Sequence, residues 1–356
     1  MMPERIPVAV LAATGSVGQR FVQLLDGHPW FEVVALTGSD RSVGQTYGES
    51  CHWFLSEPMP EWAARLKVVP TEPGSLQTPL VFSALPADIA RSVEPEFAQA
   101  GMAVCSNASA YRREEDVPIL LPEINPQHAG LVPIQRRKRG WKGCIVTNPN
   151  CTSTGLTVAL KVLDVNFGVK KAFVVSLQAL SGAGYPGVSS LDILDNVIPY
   201  IGGEEDKVEW EPRKMIGLLE GDAIRLSDCT ISAHTNRVAV SDGHIVCLSV
   251  ALGKQVGLSQ VFEAFRGYEA PPESCDLPSA PRPVIIMKEE NDRPQPRQDR
   301  MTGKGMTTVI GRLRPDPLFD YKMVILSHNT IRGAAGGSIY NAELLVKLGL
   351  IGTKGF

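Results

Sequence analysis

Residues 147–153 read TNPNCTS, and within them Cys151 has the setting of a nucleophile. Pro149 forces a turn, and Leu156, Ala159, Leu160 and Leu163 recur at helical spacing, so a helix is expected to begin just after Cys151. A thiol at a helix N-terminus sits in the positive end of the helix dipole, which favours the thiolate that attacks a carbonyl carbon. A buried, inert cysteine is the competing reading of this segment alone. That second reading is applied to Cys51, Cys105, Cys144, Cys229, Cys247 and Cys275.

A thiol nucleophile needs an acid/base partner, and residues 237–244, RVAVSDGH, offer His244. Asp242-Gly243 is a strong hairpin signal. With a two-residue loop, Ser241 and His244 pair across the turn, and Arg237, Ala239 and Ser241 share a face with His244. Arg237 then lies about 13 Å along the strand from Ser241, and its long side chain folds back over Ala239, leaving room for a short substrate carrying a carboxylate. A three-residue loop would put the two groups on opposite faces. His234 is a rival base, ranked lower because no turn positions it.

Residues 8–18, VAVLAATGSVG, place a glycine turn between a strand and a helix, where backbone N–H groups of Thr14, Gly15, Ser16 and Val17 can meet a pyrophosphate. Read as GxxGxxG, the set is Ala12, Gly15 and Gly18, with the first glycine replaced; an ordinary turn is the alternative. The position straight after an N-terminal strand favours the nucleotide. About 20 residues on, where an NAD site offers an acid to the ribose, the chain reads TGSDRS over 37–42. Ser39, Arg41 and Ser42 can donate to a 2′-phosphate, whereas Asp40 alone would favour a free ribose. The balance favours NADP.

These groups need a scaffold, and 356 residues at 44% hydrophobic content can build about two domains. The 35 basic and 38 acidic side chains leave a net charge of -3, so no overall positive field draws the chain to nucleic acid. No apolar run reaches the roughly 18 residues that cross a bilayer, and Pro3, Glu4 and Arg5 stand where a signal peptide would have its apolar core. A soluble cytoplasmic protein is expected, away from the membrane. The cysteines and histidines show neither CxxC nor HExxH spacing, so no metal is expected.

Short β-branched runs alternate with helical stretches in the first third: strands at 8–12, 31–36, 80–83, 102–105 and 144–147, and a helix at 20–25. From residue 171 longer strands dominate, at 172–177, 230–240, 244–252, 284–287, 307–313 and 321–326. A helix at 333–350 follows. The class is α/β: a Rossmann-type dinucleotide-binding domain over 1–150, completed by 333–350, and an α+β domain over 151–332 with a mostly antiparallel sheet. Residues 292–301 read as an exposed loop or inter-subunit arm, and QRRKR at 135–139 as a solvated surface loop.

Together these segments resemble aspartate-semialdehyde dehydrogenases, particularly the archaeal and fungal branch. The resemblance is carried by ATGSVG at 13–18, SALP at 83–86, SNASAYR at 106–112, LPEIN at 121–125, TNPNCTS at 147–153, QALSGAGYPG at 178–187, EEDK at 204–207, the 237–244 segment and NTIRGAAGG at 329–337. It implies Cys151 as nucleophile, His244 as general acid/base, and Asn150 and Gln178 as groups that position the thiohemiacetal. It further implies Arg237 on the substrate carboxylate, Glu204 on its ammonium, Arg112 and Lys207 on the phosphate, and Ser181 and Gly182 in the substrate site. For NADP it implies Thr14, Gly15, Ser16, Val17 and Ser83 near the pyrophosphate turn, Ser39, Arg41 and Ser42 at the 2′-phosphate, and Asn329 near the nicotinamide. Ala12 departs from the family, whose fingerprint has glycine there. The resemblance also implies a homodimer or homotetramer, built through the sheet of the second domain.

Archaeal malonyl-CoA reductases look similar and share the SGAGYPG segment and a matching cysteine, but their substrate carries neither ammonium nor acyl phosphate for Glu204 and Lys207. The blocked amine of N-acetylglutamyl phosphate would likewise leave Glu204 unpaired. A non-catalytic NADP-binding regulator on this scaffold would have little reason to keep Cys151, His244, Arg112, Arg237, Glu204 and Lys207 together.

Overall fold

Six short runs of mainly β-branched and aliphatic residues pair in parallel, as strands do when both faces are covered by helices. They are β1 (Ile6–Leu11), β2 (Phe31–Thr37), β3 (Val68–Val69), β4 (Leu80–Ser83), β5 (Ala103–Ser106) and β6 (Cys144–Thr147) in a computed structural model that describes residues 5–351. Their spatial order, β3-β2-β1-β4-β5-β6, reverses direction beside β1, which opens a crevice at the carboxyl ends of β1 and β4. The helix Ser16–Leu24 starts in that crevice. Gly18 lets it approach the strand: a Cβ there would lie 2.4 Å from the Ala12 carbonyl oxygen. Ala12 itself takes φ +55°, so the tight first turn survives the loss of glycine at a cost of about 1 kcal/mol in left-handed backbone.

The second sheet follows β7 (Val169–Gln178), after which a small hairpin of β8 (Leu218–Glu220) and β9 (Ala223–Arg225) stands apart. It is completed by β10 (Thr230–Arg237), β11 (His244–Leu252), β12 (Ile285–Lys288), β13 (Thr308–Pro315) and β14 (Tyr321–Ser327), in the order β10-β7-β11-β14-β13-β12. The β7–β11, β11–β14 and β13–β14 pairs are antiparallel, whereas β10–β7 and β12–β13 are parallel. One face packs on the helices Cys151–Phe167, Glu204–Met215 and Leu258–Arg266, through Leu156, Leu160, Leu163, Val208, Met215, Val261 and Phe265. Burying each such aliphatic side chain stabilises the fold by roughly 2 kcal/mol. The opposite face leaves Phe173, Val175, Ser249 and Val324 half-buried and Cys247 exposed.

The expected β10–β11 hairpin does not form. β7 lies between those strands, and residues 238–243 cross its end, with the Leu180 and Ser181 N–H groups donating to the carbonyls of Val240 and Ser241 at 2.7 and 3.1 Å. Gly243, at φ +97°, does turn the chain, as its sequence signalled. An Asp-Gly pair specifies a reversal, but partners elsewhere in the sheet decide which strands become neighbours.

QRRKR is helical instead of a loop, forming the end of Leu131–Arg139. Gln135 is buried and clamps Ile145 on β6, donating to its carbonyl at 3.0 Å and accepting from its N–H at 2.7 Å, while Arg139 pairs with Asp116. Residues 292–301 are no free arm, because buried Asp299 pairs with Arg293 and Arg300 donates to the Asp242 carbonyl at 3.2 Å. At the C-terminus, Ile331–Ala335 makes one wide π turn before the helix Gly336–Lys347, whose Ile339, Ala342 and Leu345 join the core of the first sheet. Among the described residues no helix is long and apolar enough to cross a membrane, and no group of three His, Cys, Asp or Glu side chains is placed to hold a metal.

Candidate active site

Cys151 is the first residue of its helix, as the Pro149 turn and the apolar repeat required. Asn150 is the N-cap: its Oδ1 accepts from the N–H groups of Thr152 and Ser153 at 2.9 and 3.2 Å, satisfying two donors that a helix start leaves open. The helix presses close to β14, since a Cβ on Gly155 would sit 2.7 Å from the Ser327 side chain.

Above it, the ends of four strands lie side by side. Arg237 is in register with Gln178, and the next strand brings His244 into register with Ser327. Arg237, Gln178, His244 and Ser327 each continue the helix-covered face of their strands, which is why all four come to the Cys151 end of the helix. Arg237 and His244 thus share a face as expected, but with β7 between them. His234, the rival, is exposed on the other face against Phe173.

The Cys151 Sγ lies 3.2 Å from His244 Nε2. On the far side of the ring, Nδ1 accepts the Ala179 N–H at 3.0 Å, which fixes the neutral ring with its proton on Nε2, toward the sulfur. Burial, then the Glu204 carboxylate, pushes the thiol up to about 12, against the pull of Arg112, Arg237 and the Thr152 N–H. Burial, then Arg237 and His328, pushes the imidazole down to about 3. The protein's own groups therefore hold the pair as neutral thiol and neutral imidazole. The helix dipole acts where it was expected, yet desolvation outweighs it, so the thiolate expectation does not hold for these groups alone.

Two glycines make room for the pair. A Cβ on Gly182 would fall 2.8 Å from Arg237 Nη1 and 3.1 Å from His244 Nε2, and one on Gly333 would fall 2.9 Å from the Cys151 Cβ. Arg237 is steadied by donating to the Ala179 carbonyl at 2.7 Å. Opposite, the helix Glu204–Met215 presents Glu204 and Lys207, whose side chains pair at 2.8 Å. Glu204 also accepts from Asn150 Nδ2 at 2.8 Å and from Gln178 Nε2 at 3.4 Å, and burial notwithstanding, these partners hold it below the usual carboxylate range, Lys207 contributing most. Arg112 donates to the Asn107 carbonyl at 2.8 Å from the third wall.

Cys151, Asn150, Arg112, Glu204, Lys207 and Arg237 line one cleft of about 380 Å³ together with Ser16, Val17, Ser181, Gly182, Asn329 and Gly333, while His244 and Gln178 are fully buried. Ser16 and Val17 line the cleft at the start of a helix whose first turn has no side-chain cap, and the uncapped N–H groups of a helix start suit an anion. Asn329 ties together the segments after β7, before β11 and after β14, donating to Ser181 Oγ at 2.7 Å and accepting the Gly243 N–H at 2.8 Å. Ser39, Arg41 and Ser42 follow β2 at the same end of the first sheet; Ser39 and Arg41 are exposed, while Ser42 is buried in a turn closed by its N–H to the Ser39 carbonyl. The turn around Thr14 and Gly15 lies between Ala12 and the helix start, as a pyrophosphate loop does. Ser83, at the carboxyl end of β4, is fully buried with its side chain toward Glu94.

Known proteins are similar to this chain over nearly its whole length. The chain is 51% identical to the aspartate-semialdehyde dehydrogenase of Archaeoglobus fulgidus over 343 residues, 96% of this chain and 98% of that one. The chain belongs to the aspartate-semialdehyde dehydrogenase family. A fungal member from Schizosaccharomyces pombe is 44% identical over 97% of this chain and 99% of its own. Family models describe residues 7–131 as a semialdehyde dehydrogenase NAD binding domain and 160–332 as the dimerisation domain. The crystal structure of the Candida albicans aspartate-semialdehyde dehydrogenase with NADP superposes with a TM-score of 0.90 at 42% identity, covering 98% of this chain and all of that one.

Some residues around Cys151 carried no signal of their own in the sequence. Ala179 contributes only its backbone and Gly333 only the absence of a side chain; Gly182, which the resemblance placed in the substrate site, acts there through the same absence. Glu211 and Lys214, both buried beside Arg112, were not singled out in the sequence. Their spacing from Glu204 and Lys207, at steps of three and four, was the one available cue.

Proposed function

We propose that the chain is an NADP-dependent, phosphorylating dehydrogenase that interconverts β-aspartyl phosphate and L-aspartate 4-semialdehyde through a thioester on Cys151, in the cytoplasmic synthesis of lysine, threonine and methionine. The observation that carries this reading is the Cys151–His244 contact of 3.2 Å in a cleft whose walls offer separate partners for a carboxylate, an ammonium and a phosphate. The residues over 1–150 with 333–350 would hold the cofactor, and 151–332 the chemistry and the subunit contact.

In the reducing direction the Cys151 thiol first loses its proton to water, and the thiolate attacks the acyl carbon; the S–C bond forms, the C–O bond to phosphate breaks, and phosphate leaves with the electron pair. Arg112 and Lys207 receive that charge. Residues 14–17, with Ser39, Arg41 and Ser42 at the 2′-phosphate and Asn329 beside the nicotinamide, would hold NADPH, which would supply hydride to the thioester carbon and accept it in the reverse direction. His244 keeps its Nε2 proton toward the sulfur and the oxygen that becomes negative, and exchanges it with that oxygen as the thiohemiacetal forms and collapses. Asn150 and Gln178 hold Glu204 in place. Ser181 and Gly182 close the pocket around the short carbon chain.

The substrate also switches the nucleophile on. Its ammonium neutralises Glu204, the carboxylate that raises the thiol, and its carboxylate neutralises Arg237, the cation that lowers the imidazole. The first change eases loss of the thiol proton, and the second helps the ring keep its Nε2 proton beside the thiolate.

Purified protein with aspartate semialdehyde, phosphate and NADP is expected to raise the NADPH absorbance, to need phosphate, and to respond far less to NAD. No reduction, with NADPH instead consumed by malonyl-CoA, would move the chemistry to that acyl thioester; activity with neither would favour a non-catalytic regulator. The half-buried outer face of the second sheet supports a homodimer or homotetramer. Light scattering that returns only a 38.5 kDa particle would contradict that assembly.

A further inference from the structure

Glu211 lies seven residues after Glu204 on the helix Glu204–Met215, two turns along the same face. Its carboxylate is buried and accepts two donors from different parts of the chain: Arg112 Nη1 at 2.8 Å on Oε1, and the Asn150 N–H at 2.6 Å on Oε2. The second contact is unusual in origin. In a capping box, a glutamate three residues into the same helix takes the N-cap N–H. Here that position is Ser153, and a carboxylate from another helix does the work. One turn beyond Glu211, Lys214 donates to the carbonyls of Arg112, Glu114 and Val117 at 2.8, 2.7 and 2.7 Å, so the same helix holds both the main chain and the side chain of Arg112.

We propose that Glu211 is a positioning residue for the reaction: one carboxylate fixes the phosphate-binding guanidinium of Arg112 and the N-cap that carries Cys151, and so sets the separation between the bound phosphate and the attacking sulfur. The inference rests on the functional reading above. Two charge-assisted bonds to one rigid, buried group leave neither partner free to drift. A glutamine has one acceptor and would turn its amide donors toward either Arg112 or the Asn150 N–H, so one of the two contacts must fail.

The test uses inorganic phosphate to protect Cys151 from iodoacetamide, read by peptide mass spectrometry on the full-length protein, alongside steady-state kinetics. Glu211→Gln is expected to raise the phosphate concentration for half-protection at least tenfold. It should raise the KM for phosphate by a similar factor, while the KM for aspartate semialdehyde, set by Arg237 and Glu204, changes less than threefold. Glu211→Asp, which keeps the charge but is too short for both donors at once, should shift protection in the same direction by at least threefold, and it answers the question if the glutamine variant does not fold. Protection unchanged in a folded variant, or KM values for phosphate and semialdehyde that rise together, would overturn the proposal. So would a wild-type protein that phosphate does not protect. The labelling arm contains no semialdehyde and no cofactor, so a wild type that is protected yet shows no phosphate-dependent NADP reduction would remove the functional reading and leave the Glu211 result standing.

Discussion

Cys151→Ser is expected to lower kcat by on the order of 10⁴-fold, with the fold and phosphate binding retained. Serine fits the space, but its hydroxyl is a far weaker nucleophile, and nothing in the cleft is arranged to ionise it. Even the thiol is held protonated by the protein's own groups, since burial and then Glu204 push it up to about 12. Alkylation of Cys151 in the wild type should therefore accelerate in the alkaline range and not near neutrality. Glu204→Gln removes one negative neighbour, so the rise should move to lower pH. A serine variant turning over within tenfold of wild type would sink the assignment of the nucleophile.

His244→Asn should lower kcat by roughly 10²–10⁴-fold. Asparagine suits the test because its amide oxygen can still accept the Ala179 N–H that Nδ1 takes at 3.0 Å, while nothing is left at the Nε2 position beside the sulfur. The melting temperature should stay near that of the wild type, and iodoacetamide should still label Cys151. Turnover within tenfold of wild type would show that the proton is handled elsewhere, with His328, buried behind the same ring, the first group to examine.

Several features could be read from neighbouring residues alone. Pro149 and the apolar repeat of Leu156, Leu160 and Leu163 are local, and they start the helix at Cys151 wherever the chain packs. The β-branched runs around 8–12 and 80–83 are buried on both faces in any parallel sheet, and the glycine turn between β1 and its helix needs only Gly15 and Gly18. Side-chain direction in a strand alternates with a period of two, so Arg237 and His244 could be put on one face without knowledge of the sheet.

What brought them together was not local. β7 separates β10 from β11 because strand order follows from burying Val174, Leu248 and Ile325 under a common set of helices, and an Asp-Gly turn has no part in that choice. QRRKR looked like a solvated run until Gln135 met β6. Arg112 and Glu211 pair across 99 residues of sequence, a separation at which neither residue type carries a signal for the other. The protonation of Cys151 divides along the same line: the helix N-terminus that favours a thiolate is written in adjacent residues, whereas the desolvation that overrides it depends on how many distant side chains close around the sulfur.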